Sequence, residues 1–115
     1  MTSNRGWIGV DLDGTLAEYH GWHEAHIGKP VPLMVERVRR WLAEGIDVRV
    51  FTARVGNGSA TDNVGVVRLI QDWTLAHIGR RLQVTCRKDF GMVELWADRC
   101  VQVEPNTGRR VDGKE

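Results

Sequence analysis

The chain has 115 residues, 27% of them charged, and a formal net charge of +1. That length fits one domain with one core and is too small for a catalytic domain joined to a substantial second one. The near-neutral balance excludes a long-range field for nucleic acid or anionic membrane, and no apolar run approaches the roughly 20 residues that span a bilayer.

The first predicted element is a short apolar run, Trp-Ile-Gly-Val-Asp-Leu-Asp-Gly-Thr-Leu, at residues 7–16. Such a run closed by Asp and Gly reads as a buried strand that stops at its polar end. Side chains alternate along a strand, so Asp11 and Asp13 are expected on one side, converging on a small volume above the sheet edge. Two carboxylates that close need a shared proton or a cation, and a divalent metal with a phosphoryl group meets that need with hard oxygen chemistry.

Residues 17–31 carry Gly21, Gly28 and Pro30 and read as a flap. Pro32 opens a helix with Met34, Val35, Val38, Trp41 and Leu42 on one face, ended by Gly45. Ile46–Phe51 is a second strand, running into Thr52-Ala53-Arg54. A loop at 55–60 leads to the candidate caps Thr61, Asp62 and Asn63 and to a helix over about 63–78, with Val66, Val67, Ile70, Trp73 and Ile78 inward and Gly79 as its stop. Leu82–Cys86, Val93–Ala97 and Cys100–Val103 are read as three more strands, and the chain from Pro105 as a frayed tail. Trp7, Trp41, Trp73 and Trp96 fall at packing positions.

Alternating strands and helices imply a parallel sheet with right-handed crossovers. In such a sheet the ligand sits outside the C-terminal strand ends at a switch in strand order, where Asp11, Thr52 and Asp98 all fall. Cys86 and Cys100 lie in predicted strands and no basic-then-apolar leader precedes the first strand, so a reducing, cytoplasmic setting without a disulfide is expected.

The run Asp11-Leu12-Asp13-Gly14-Thr15 resembles motif I of the haloacid dehalogenase-like superfamily. Thr52 resembles its motif II, Lys88 its motif III and Asp98 its motif IV, so the likeness covers residues 7–108. It implies an α/β, Rossmann-like three-layer sandwich with a parallel sheet of about five strands and no cap domain, a core over 1–108 and a flexible tail over 109–115. It also implies a Mg²⁺-dependent phosphomonoester hydrolase working through an aspartyl phosphate, with a small molecule or a nucleic-acid end as the phosphorylated substrate.

In that scheme Asp11 is the nucleophile, Asp13 the acid and base, and Thr52 and Lys88 hold phosphoryl oxygens. Gly14 and Thr15 form the turn out of the site, and Ala53 and Arg54 join them in the phosphate-binding set. The metal ligands implied are Asp11, the main-chain carbonyl of Asp13, and Asp98. The chain departs from motif IV at Ala97, where many members carry a second acid. Glu94, four residues before Asp98, is an alternative ligand, although a regular strand separates them by about 13 Å.

Several readings stay open at this level. Arg54 either reaches a substrate phosphate or carboxylate or forms a surface salt bridge, and Trp22 either stacks on a substrate ring or pins the flap. His20, His23 and His26 repeat every third residue, but the glycines around them and the lack of a fourth ligand disfavour zinc. A homo-oligomer is compatible with the chain. So is the alternative function, a catalytically impaired phosphate- or metal-binding protein that acts by interaction, which Ala97 favours.

Overall fold

The computed structural model describes residues 6–21, 26–56 and 60–114. Its elements in chain order are β1 (Trp7–Asp11), α1 (Pro32–Ala43), β2 (Asp47–Phe51), α2 (Ala60–His77), β3 (Val84–Thr85) and β4 (Met92–Trp96). The strands form one four-stranded sheet in the order β3-β2-β1-β4, with every pairing parallel. The fold is thus α/β, as expected.

β1 is central, which is why Trp7, Ile8 and Val10 are all buried. Ile8 and Val10 lie beside Val48 and Val50 of β2 on one sheet face. That face meets Met34, Val35, Val38 and Leu42 of α1 and Ile70 of α2 in a single core. Both helices therefore cover the same face, as two right-handed crossovers stepping in the same direction require. The described residues make two layers where three were expected, and four strands where about five were. The third layer is missing because residues 86–91, between β3 and β4, are too few for a crossover helix.

α1 starts with Pro32 in its first turn, where the missing N–H costs nothing. It ends as predicted: Gly45, at φ 82°, donates to the Leu42 carbonyl at 3.0 Å, and Ile46 donates to that of Trp41 at 3.0 Å. α2 begins at Ala60, so Thr61, Asp62 and Asn63, expected as caps, lie inside its first turn. β3 keeps only two residues of the predicted Leu82–Cys86, because the Thr85 hydroxyl accepts the Arg87 amide at 3.0 Å and turns the chain away.

Cys100–Val103 is not a strand of the sheet. Val103 instead bridges Arg110 antiparallel, and the Glu104 and Val111 amides bond the carbonyls of Arg109 and Gln102 at 2.7 and 2.9 Å. The segment expected to fray from Pro105 thus closes on itself, with Asn106 and Gly108 at positive φ. Cys86 and Cys100 are free and exposed, and no helix among the described residues is long and apolar enough to cross a membrane.

Trp7, Trp41, Trp73 and Trp96 pack as expected. Trp7 is buried, and Trp41, Trp73 and Trp96 lie against the core. Trp41 and Trp96 meet with ring centroids 5.1 Å apart, which ties α1 to β4.

Candidate functional site

The site is built by a turn anchored on Leu12. The Leu12 carbonyl accepts the amides of Thr15, Leu16 and Ala17 at 3.3, 3.1 and 2.8 Å, while the side chains of Leu12 and Leu16 are fully buried. The apolar residue between the two acids thus holds the turn down, with Asp11 before it and Asp13 after it.

Because β1 stops at Asp11, the strand alternation does not carry on to Asp13, and the two acids take different partners. The Asp11 carboxyl faces that of Asp98, beyond the end of β4. Burial, then the facing Asp98 carboxyl and its charge, push Asp11 up from 3.8 to about 6, against the pull of the Leu12 amide; the charge of Asp13 adds a little. Asp98 is drawn to the turn by the Thr15 hydroxyl, which donates to its Oδ1 at 3.3 Å. Gly14 makes room for it. At φ 89° this glycine lies so close that a Cβ there would sit 2.5 Å from Asp98 Oδ2.

Asp13 is held from the other side. Arg54 Nε donates to its Oδ2 and Nη2 to its Oδ1, both at 2.8 Å, and the same Nη2 donates to the His26 carbonyl at 2.7 Å. Thr52 places this loop: its amide donates to the Thr85 carbonyl at 2.9 Å, and its buried hydroxyl accepts the Arg54 amide at 3.1 Å. Ala53, between them, is exposed.

The sheet order explains the meeting. The chain steps from β1 to β2 to β3 in one direction and returns to β4 on the far side of β1. The break between β1 and β4 is the switch point of this fold, and Asp11 and Asp98 flank it at the C-terminal strand ends.

Not every expected site residue is brought into contact with Asp11 among the described residues. Lys88 is exposed in the loop after β3 and forms no ion pair with Asp11 or any other carboxylate among the described residues. Glu94 pairs in register with Ile8, about 10 Å of strand rise short of Asp11, and its carboxylate accepts the Trp96 indole N–H at 3.0 Å. Trp22 and His23 lie outside the described residues. His20 pairs with Glu18 at 3.2 Å.

Sequence reasoning missed how residues 17–21 and 26–31 are seated. Ala17 bridges Pro30, the Glu18 amide donates to the Lys29 carbonyl at 2.8 Å, and the Trp73 indole N–H donates to the Gly28 carbonyl at 3.1 Å. Gly28 was the available signal, since a Cβ there would sit 2.1 Å from the Glu18 carbonyl oxygen.

No group of three or more His, Cys, Asp or Glu side chains among the described residues is arranged around a metal position. The pair Asp11 and Asp98 still suits Mg²⁺, which commonly takes one or two carboxylates and fills its shell with water and substrate phosphate. Two carboxyl groups facing each other need a proton or a cation between them, and that donor chemistry is hard oxygen throughout. Comparison with protein-family models, with curated proteins and with solved structures finds no match to this chain.

Proposed function

We propose that the chain is a Mg²⁺-dependent phosphomonoester hydrolase with a Rossmann-like core of the haloacid dehalogenase-like kind and no cap, working in the cytoplasm. The observation that carries the reading is the placement of Asp98 at the switch point against the turn that follows Asp11, held by the Thr15 hydroxyl and close over Gly14, with Asp13 one residue beyond the buried Leu12. A binding module has little use for Asp13 held at a fixed angle beside two other acids.

In the proposed reaction an Asp11 carboxylate oxygen attacks phosphorus, and the bond from phosphorus to the leaving oxygen breaks as Asp13 gives that oxygen a proton. Asp13 then takes a proton from water, whose oxygen attacks the phosphorus of the aspartyl phosphate and frees inorganic phosphate and Asp11. Asp11, the Asp13 main-chain carbonyl and Asp98 would hold Mg²⁺. When bound, the metal supplies the positive charge that lets both acids ionise and draws charge from the phosphoryl oxygens. The Thr52 hydroxyl, already accepting the Arg54 amide, donates its own proton toward a phosphoryl oxygen. Lys88, which no described carboxylate holds elsewhere, completes the set when a phosphoryl group attracts it.

Small phosphomonoesters and phosphorylated nucleic-acid ends are the substrate classes of this reading, and a homo-oligomer is compatible with it. The lack of an ion pair between Lys88 and Asp11 among the described residues, with alanine at position 97, favours a second reading: a phosphate- or metal-binding protein with little turnover. Phosphate release with Mg²⁺ across metabolites and phosphorylated oligonucleotides distinguishes them. The enzyme reading expects release that Asp11→Asn abolishes while the fold persists. No release from any substrate, or release that survives in Asp11→Asn, overturns it.

A further inference from the structure

We propose that Arg54 is a positioning residue for Asp13, a reading that rests on the phosphatase assignment. Its side chain is only 6% exposed, so it offers little surface to a substrate, and Asp13 at 21% is itself largely enclosed. Both carboxylate oxygens of Asp13 are engaged, at 2.8 Å each, by two nitrogens of one rigid planar fork. This fixes the rotation of the carboxylate as well as its place. The fork is anchored at both ends. The Arg54 amide is held by Thr52 Oγ1 at 3.1 Å and Nη2 by the His26 carbonyl at 2.7 Å.

The clamp therefore ties together the turn after β1, the loop after β2 and the seated end of residues 17–31. What it sets is the angle from which Asp13 meets the leaving oxygen. An acid misplaced by an ångström loses on the order of 100-fold in rate. Lysine in the same place keeps the charge, but a single ammonium lacks the planar fork that fixes both oxygens and reaches the His26 carbonyl.

Steady-state kinetics of Arg54→Lys and Arg54→Ala on 4-nitrophenyl phosphate and on an alkyl phosphate test this. The alkyl ester depends on a donated proton far more than nitrophenolate does. The expected result is a kcat loss of about 100-fold on the alkyl ester, a much smaller loss on the nitrophenyl ester, and KM changed little on either. In the Asp13→Asn background, Arg54→Ala is expected to cost almost nothing more, since the group it positions is gone.

A rise in KM with equal losses on both esters makes Arg54 a substrate ligand and overturns the proposal. So does wild-type behaviour of Arg54→Lys, or additive losses in the double variant. Where Arg54→Ala does not fold, Arg54→Lys and its combination with Asp13→Asn carry the test. A wild-type protein that releases no phosphate from any ester overturns the phosphatase reading itself, which is a different result from an active protein whose Arg54 variants fail the leaving-group comparison.

Discussion

Asp11 illustrates how a single carboxyl couples stability to chemistry. Below its ordinary value of 3.8 it is protonated both folded and unfolded and costs the fold nothing; above about 6 it is ionised in both, and the folded protein alone bears the burial and the charge of Asp98. Stability from this group is thus lost as pH rises from about 4 to 6 in metal-free protein. In chelator, Asp11→Asn is expected to melt higher than wild type at pH 7, the gap closing by pH 4; thermal melts that keep one gap at both pH values refute the cost. Ala97 is the other residue to test. It stands beside Asp98 just past β4, where a second acid would strengthen the metal site. Ala97→Asp is expected to lower the Mg²⁺ needed for half-maximal phosphate release by about 10- to 100-fold, the usual worth of an added supporting carboxylate. Coincident Mg²⁺ titration curves for the two proteins would show that position 97 does not bear on the metal.

The elements divide by how local their causes are. α1 was legible from its apolar spacing and the glycine after it, because a helix with its C-terminal turn closes its own hydrogen bonds. The start of α2 was not, since three consecutive cap-competent residues, Thr61, Asp62 and Asn63, gave no single boundary. β3 was overestimated because its edge position leaves it one neighbour, and the Thr85 hydroxyl ends it early. The turn after β1 carries the most weight for the site. Leu12 is fully buried and its carbonyl takes three amides, so it fixes Asp11 and Asp13 together. Leu12→Ala is expected to cost about 2–5 kcal/mol, a large share of the 5–15 kcal/mol typical of a domain. Denaturant melts read this directly, and an unchanged midpoint would show that the turn holds without its anchor.

At the scale of the molecule, one sheet face lies under both helices, and the other carries Trp7, Arg49 and Leu95 with no helix over it among the described residues. There Arg49 stacks on the Trp7 ring at 4.5 Å from its centroid, and the Trp7 indole N–H donates to Asp89 at 2.9 Å. That hydrogen bond, above all, holds the Asp89 carboxyl below its ordinary value. The sequence by itself determined the α/β class, the parallel sheet, the strand that delivers Asp11 and the place of Thr52 at the end of the next one. These follow from periodicities and end signals that neighbouring residues set among themselves. The division of the acids, with Asp98 on Asp11 and Arg54 on Asp13, was decided only by the tertiary structure. Asp98 is far from Asp11 in the chain and reaches it because β4 returns beside β1, a choice of strand order that no local pattern encodes. For the same reason the partner of Arg54 was not legible in the sequence: a charge finds its partner through the packing of β1 against β2, and the half-buried carboxylate within reach of its fork was Asp13.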